Sequence, residues 1–131
     1  MNQIAATITD IQSVDAITIV SFEAAGQAMR MMALELNDTL GVGSKVILGV
    51  KATNIALAKE RVETISISNQ LEVTIEGINM GALLCSVTFN FADQLWESII
   101  TRESALTMQL DVGDKIVALV KSSELSIVEI L

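Results

Sequence analysis

Two stretches decide the fold: VGSKVILGVKATNIALA, residues 42–58, and VGDKIVALVKSSELSIV, residues 112–128. Both read Val-Gly-x-Lys, then a short apolar run, then Val-Lys followed by two small residues. A sequence that repeats itself in this way indicates two copies of one structural unit. The apolar runs VILGV and IVALV are typical of strands that are covered on both faces.

The repeat covers most of the 131 residues. The early matches are offset by 67, as from Asn2 to Asn69, and the later matches are offset by 70, as from Val42 to Val112. The second copy therefore has three extra residues, which we expect within NFADQLWESIITRES, residues 90–104. We predict a first module at residues 1–58, a second at residues 65–131, and a charged linker, KERVET, at residues 59–64.

Within each copy the pattern is mostly that of strands. Apolar and polar residues alternate in LEVTI (residues 71–75) and SVTFNF (residues 86–91), which predicts half-buried strands. TRESALTM (residues 101–108) predicts a short helix with Thr101 as its N-cap, and Gly43 and Gly113 predict turns. The predicted fold is all-β: two tandem OB-like five-stranded β-barrel modules, each with a short helix. Strands exchanged between copies or between chains would help such small barrels to bury their apolar residues.

Composition sets the protein class. Hydrophobic residues make up 51% of the chain, although aromatic residues make up only 3%. A small chain cannot bury this much apolar surface internally, which favours a homo-oligomer. No apolar run approaches the roughly 20 residues that cross a bilayer, and the amino terminus has no signal-peptide pattern. Because Cys85 is the single cysteine and can form no internal disulfide, we expect a cytoplasmic protein.

Charge and residue usage exclude several functions. A net charge of −8 disfavours binding to nucleic acids and to anionic membranes. The chain has no histidine, the commonest general base and metal ligand, so we expect neither an enzyme nor a protein-held metal site or cofactor. A nucleic-acid-binding OB barrel would need stacking aromatics, but Phe89 and Phe91 alternate onto one face as core residues do.

The repeated lysines point to binding of an anion. Lys51 and Lys121 each follow a core strand and precede two small residues. A lysine supplies a mobile positive charge, while hydroxyl and main-chain N–H groups donate hydrogen bonds to an oxyanion. The structural alternative is a lysine that only extends from a strand end into water, followed by an ordinary turn. Lys45 and Lys115, beside the turn glycines, are interpreted as solvated turn residues.

These segments resemble a known family. SISNQLEVTIEGINMGALLCSVTF (residues 66–89) and ITRESALTMQLDVGDKIVALVKSSELSI (residues 100–127) are similar to the molbindin, or Mop/TOBE, domain, a small module that binds molybdate and tungstate. The first copy resembles the same module, so the resemblance covers nearly the whole chain. The double arrangement resembles the tandem molbindins, which are free-standing cytoplasmic oxyanion binders.

The resemblance implies a ligand, a site and an assembly. The ligand is molybdate or tungstate, bound as the oxyanion without a further cofactor, and the assembly is a homotrimer with sites between modules. The implied contacts come from three segments: Lys51, Ala52 and Thr53; Lys121, Ser122 and Ser123; and Ser66, Ser68 and Asn69. Ser68 stands where the family has an arginine, which removes one positive donor. The first copy starts at Met1, so we expect its version of this half-site to be incomplete.

Three functions fit these observations. The first is storage and homeostasis of molybdate or tungstate in the cytoplasm. The second is a ligand-sensing module that acts on a separate transcription factor or transporter ATPase, because the chain has neither a helix-turn-helix nor a phosphate-binding loop. The third is a degenerate module that no longer binds the anion.

Overall fold

The computed structural model describes residues 1–131, and most of them form β-strands. The ten strands are β1 (Asn2–Val14), β2 (Ile17–Ala24), β3 (Gln27–Ala33), β4 (Lys45–Val50), β5 (Ile55–Ala58), β6 (Asn69–Met80), β7 (Leu84–Phe91), β8 (Gln94–Thr101), β9 (Lys115–Val120) and β10 (Ser126–Ile130). One α-helix, α1 (Arg102–Met108), and two 3-10 turns, Ala52–Asn54 and Ser122–Glu124, complete the fold. The prediction of an all-β fold is confirmed, and no helix has the length and apolar character needed to cross a bilayer.

The two halves of the chain form equivalent strands with equivalent burial. In β2 and β7 the same alternate positions are buried, so that Val20 corresponds to Val87 and Phe22 to Phe89. Alternation of this kind places every second side chain on the core face of a sheet. The repeat that the sequence predicts is therefore a repeat of strands and of the faces they bury.

Each half gives its last strand to the other half. One sheet has the order β10-β4-β1-β2-β3 and the other has the order β5-β9-β6-β7-β8. Ile55 of β5 pairs with Val120 of β9, while Ser126 of β10 pairs with Gly49 of β4. The exchange that the sequence left open thus occurs within one chain. The division of the chain into modules at residues 58 and 65 stays a prediction.

The turns that precede β4 and β9 have the backbone conformation that the sequence predicts. Gly43 and Gly113 have φ values of +93° and +92°, in the left-handed region that glycine adopts without strain. The Gly43 amide donates to the Ile8 carbonyl and the Gly113 amide donates to the Ile75 carbonyl, each at 2.8 Å. These bonds fix the start of β4 and β9 against the middle of β1 and β6.

The single α-helix lies in the second half only. Thr101 is its N-cap, with the side-chain oxygen accepting a hydrogen bond from the Ser104 amide at 3.1 Å, as predicted. A short helix was expected in each module, but the first half has only a turn, in which the Leu40 amide donates to the Asn37 carbonyl at 3.0 Å. The first half has too few residues here to form a helix.

The position of the three extra residues can be narrowed from the turns. The turn between β2 and β3 contains Ala25 and Gly26, and the turn between β7 and β8 contains Ala92 and Asp93, all with positive φ. These turns still match at the offset of 67, so the insertion does not precede β8. The extra residues therefore follow β8, in the segment that forms α1, which overlaps the end of the expected stretch at residues 102–104.

A single core joins the two sheets. Trp96 of β8 is 1% exposed, and its indole N–H donates to the Gln3 carbonyl of β1 at 3.1 Å. Its ring contacts the Phe91 ring edge-on, with ring centres 5.0 Å apart. One cluster of 25 buried residues includes side chains from both halves. Trp96 corresponds to Met29 in the repeat and belongs to this shared core.

Two buried asparagines tie each half to the edge strand of the other. The Asn2 amide donates to the Glu97 carbonyl and accepts from the Glu97 amide, both at 2.8 Å. Asn69 makes the same two bonds with the Arg30 main chain, also at 2.8 Å. Each asparagine side chain therefore satisfies the main-chain N–H and carbonyl of one edge-strand residue, as a neighbouring strand would do.

Candidate functional site

The two lysine segments, Lys51–Thr53 and Lys121–Ser123, have the same local structure. Lys51 directly follows β4 and Lys121 directly follows β9, each with extended φ and ψ angles, and each precedes a 3-10 turn. The Lys51 carbonyl accepts from the Asn54 amide and the Lys121 carbonyl accepts from the Glu124 amide, each at 2.9 Å. The repeated sequence thus produces a repeated turn that presents an exposed lysine beside small residues.

The strand exchange brings the two lysine segments together. The side-chain amide of Asn54 donates to the Glu124 carboxylate at 2.8 Å, across a separation of 70 residues. These two residues occupy matched positions in the repeat, since both come three residues after the segment lysine. Neither residue is among those that the sequence predicts for the site. Their shared position in the repeat could have identified them. It would have had to be combined with the expectation that the strands after them, β5 and β10, exchange between the two halves.

The serine segment, Ser66–Asn69, lies beside the second lysine segment. Asn69 pairs with Val120 in the ladder between β6 and β9, so Ser68 lies at the level of Lys121. Ser66 and Ser68 are both exposed. Asn69 is 1% exposed, and its side-chain amide is occupied by the Arg30 main chain. Within one chain Asn69 thus lies at the contact between the two halves.

A candidate cleft of about 430 Å³ lies where these segments meet. It is bounded by the edge strands β5 and β8, by the start of α1 and by the ends of the lysine and serine segments. Its lining residues are Thr53, Asn54, Ile55, Ala56, Ile67, Ile99, Ile100, Thr101, Ser104, Leu119, Lys121 and Glu124. The cleft gathers Thr53 and Lys121 and reaches the serine segment at Ile67. It does not include Lys51, nor Ala52 and Ser122, which are half-buried in the turns.

The candidate cleft can attract one anion. Lys121 is the only cation in its lining, and Glu124 is the only carboxylate. Lys121 forms no salt bridge; the one salt bridge of the chain joins Lys59 and Asp114 at 3.6 Å. Hydroxyl groups of Thr53, Thr101 and Ser104 also line the cleft, and such groups donate hydrogen bonds to anionic oxygens. A tetrahedral oxyanion would fill only part of the space.

The buried interior offers no second site. Every buried side-chain nitrogen and oxygen has a hydrogen-bond partner. No three acidic, cysteine or histidine side chains lie close enough together to hold a metal ion. Cys85 is free and buried, and burial raises the pKa of its thiol above the ordinary value of 9.0, although the Arg102 charge opposes this shift. Candidate ligand contacts are therefore confined to the exposed strand ends.

The equivalent groove of the first half has a different character. It has a volume of about 640 Å³ between β3 and β10, and it contains Ser123 from the second lysine segment but neither lysine. In the second half the Ser98 hydroxyl ties β8 to β5 by donating to the Ile55 carbonyl at 2.7 Å. Met31 takes the place of Ser98 in the repeat and cannot make this bond. The first-half groove is larger, and most of its lining is apolar.

Known proteins resemble the chain in sequence. Residues 65–127 match the TOBE domain family. The molybdenum import ATP-binding proteins ModC of Brucella abortus (strain 2308) and Brucella suis biovar 1 (strain 1330) are each 38% identical to it over 78 residues. The matched stretch is 59% of this chain and only 22% of each relative, so the chain corresponds to a small part of those proteins.

A solved structure resembles the whole chain. It is that of the cytoplasmic molybdate-binding protein ModG, in a form with molybdate bound. The TM-score is 0.88, the sequence identity is 23%, and the match covers 95% of this chain and 93% of ModG. Such a match at this identity shows the shared fold, which agrees with the two exchanged five-stranded sheets. Residues 65–127 of the chain thus match the TOBE domain family, and the chain as a whole shares the fold of ModG.

Proposed function

We propose that this protein binds molybdate or tungstate and serves to store the oxyanion and keep its free concentration steady in the cytoplasm. The observation that carries the proposal is the candidate cleft, where the unpaired Lys121 lies with Thr53 and beside the serine segment. The resemblance to ModG, which holds molybdate, supports the choice of ligand. Binding then depends on one ammonium group and several hydroxyl and amide donors, in a protein whose overall charge is negative.

The nine residues implied by the family resemblance have four different roles in this proposal. Thr53 and Lys121 line the candidate cleft, and the exposed Ser66 and Ser68, which flank its lining residue Ile67, act together with them. Lys51 and Ser123 lie outside its lining, so they would contact an anion only where another module completes a second site. Ala52 and Ser122 contribute small side chains that leave their main-chain groups accessible. Asn69 contributes by holding the serine segment in place.

Assembly of several chains would complete the sites. The candidate cleft is open to solvent on one side and larger than one oxyanion, and exposed apolar residues remain on the surface, among them Leu34 at 75% and Leu83 at 82%. Packing these surfaces against other copies would remove water from the cleft and bring additional donors to the anion. We propose a homotrimer, as in the tandem molbindins that the sequence resembles.

A sensing function is the second candidate. The observation that favours it is the 38% identity to ModC, in which the similar stretch is a small part of an ATP-binding protein for molybdenum import. A chain that presents the same module alone would act on a separate transporter ATPase or transcription factor. If the amount of such a partner captured by this chain changed with molybdate, sensing would be favoured over storage.

A degenerate module that no longer binds the anion is the third candidate, because Ser68 stands where the family has a positive donor.

Native mass spectrometry, with calorimetric titration, tests the proposal. We expect the protein to form trimers that retain molybdate or tungstate, and to give a saturable heat of binding with each. Sulfate is the control ligand: it has the same charge but is smaller, so it leaves some donors without good contacts, at about 1–3 kcal/mol for each one. An assembly that retains neither anion and gives no heat would identify the degenerate module.

A further inference from the structure

Glu124 and Asn54 hold each other inside the candidate cleft. The Asn54 side-chain amide donates to the Glu124 carboxylate at 2.8 Å. The residues occupy the same position of the repeat, yet one is neutral and the other is charged. Glu124 is exposed, and its carboxylate makes no salt bridge. Its side chain is therefore held in place by Asn54 and is otherwise free to move.

A carboxylate in this position has two effects on an incoming oxyanion. It accepts a hydrogen bond from the Asn54 amide that could instead go to an oxygen of the anion. The carboxylate and the oxyanion compete for this donor because both can only accept hydrogen bonds. It also places a negative charge in the same cleft as Lys121, and thereby weakens the attraction that the ammonium group exerts. In the empty protein, Glu124 partly takes the place of the ligand.

We propose that Glu124 is an internal competitor that sets the affinity of the candidate cleft. The inference rests on the proposed function. When the oxyanion binds, Asn54 exchanges the Glu124 carboxylate for an oxygen of the ligand, and the Glu124 side chain turns into solvent. The carboxylate thus raises the anion concentration at which the cleft fills, and Asn54 becomes a ligand-binding residue that sequence reasoning did not identify.

The test is the substitution Glu124→Gln, measured by calorimetric titration with molybdate. Glutamine retains an oxygen that can accept from Asn54 but removes the charge, so we expect affinity to rise by about fivefold at low salt. The gain should shrink as salt is added, because exposed charges are screened. Glu129→Gln removes the same charge at an exposed position outside the candidate cleft and should change affinity little.

The side-chain amide resonance of Asn54 provides a second measurement. In the unaltered protein it should move on saturation with molybdate, whereas the exposed Asn79, which makes no side-chain hydrogen bond, should keep its resonance. A stationary Asn54 resonance, or a Glu124→Gln protein that binds no more tightly than the unaltered one, would overturn the inference while binding itself stands. If neither protein bound molybdate or tungstate, the proposed function would fail along with it.

Discussion

In the proposed function, Lys121 is the residue on which anion binding depends most directly. It is exposed, has no carboxylate partner and lines the candidate cleft. We expect Lys121→Ala to weaken molybdate binding by about tenfold or more, since hydrogen bonds from charged donors contribute roughly 1.5–3 kcal/mol. The free energy of unfolding should stay unchanged, because the side chain supports no other contact.

Calorimetric titration of Lys121→Ala, with Lys45→Ala as the matched control, checks this prediction. Lys45 is also exposed, but it lies beside a turn and outside the candidate cleft. Equal losses of affinity in both variants would mean that only overall charge matters. An unaltered affinity in Lys121→Ala would remove this lysine from the site.

Asn69 contributes to the protein in a different way from the lysine. Its side-chain amide bonds both the N–H and the carbonyl of Arg30 and is 1% exposed. Asn69→Ala would leave these main-chain groups without their partner, at a cost of about 2–3 kcal/mol in the free energy of unfolding. Urea denaturation measures the loss, and Asn79→Ala, at an exposed position, is the control. A stability equal to that of the control would show that water replaces the amide.

The sequence predicts candidate residues for the site but not the contacts between them. The duplicated lysine, the small residues after it and the serines before β6 are proposed from spacing and resemblance, and their part in binding stays a prediction. The bond between Asn54 and Glu124 could not be predicted, because it depends on how the ends of two strands meet 70 residues apart. The same holds for the occupied amide of Asn69, whose partner lies in the other half of the chain.

Among the elements, strands were easier to predict than their partners. The alternation in β6 and β7 defined both strands and their buried faces, because period two is a local signal. The sequence gives no local signal for which sheet β5 and β10 join, since strands of four and five residues can pair with any suitable edge. The short helix could be predicted from its N-cap. That the three extra residues lie in the helical segment became clear only from the matching turns before β3 and β8.

Helix α1 depends on its first residue. The Thr101 oxygen accepts from the Ser104 amide at 3.1 Å, and only Ala105 of the helix is buried. A helix of seven residues has little packing to stabilise it, so we expect Thr101→Ala to lower the free energy of unfolding by about 1 kcal/mol. Thr101→Ser should restore most of the loss in chemical denaturation. Thr107→Ala, at an exposed helical position without a cap, should have a smaller effect; an equal effect would exclude capping as the cause.

For the whole molecule, the shared core predicts that both halves unfold together. Val20 is fully buried in β2, and Val20→Ala should lower the free energy of unfolding by about 2 kcal/mol through lost packing. Trp96, in the other half, should report the same shifted midpoint by fluorescence as circular dichroism does for the entire chain. Val42→Ala, at a position 70% exposed, is the control. Separate transitions from the two probes would mean that the halves are independent.

The exchanged last strands have a consequence for how the two halves can change. Neither half completes its sheet without a strand from the other. Each half, if it were made alone, would therefore need a second chain to supply the missing strand. The connection from β5 to β6, residues 59–68, makes the pairing of the two halves intramolecular and keeps two different halves together. One half can therefore carry asparagine and methionine where the other carries glutamate and serine, and a single molecule can present two dissimilar faces to its surroundings.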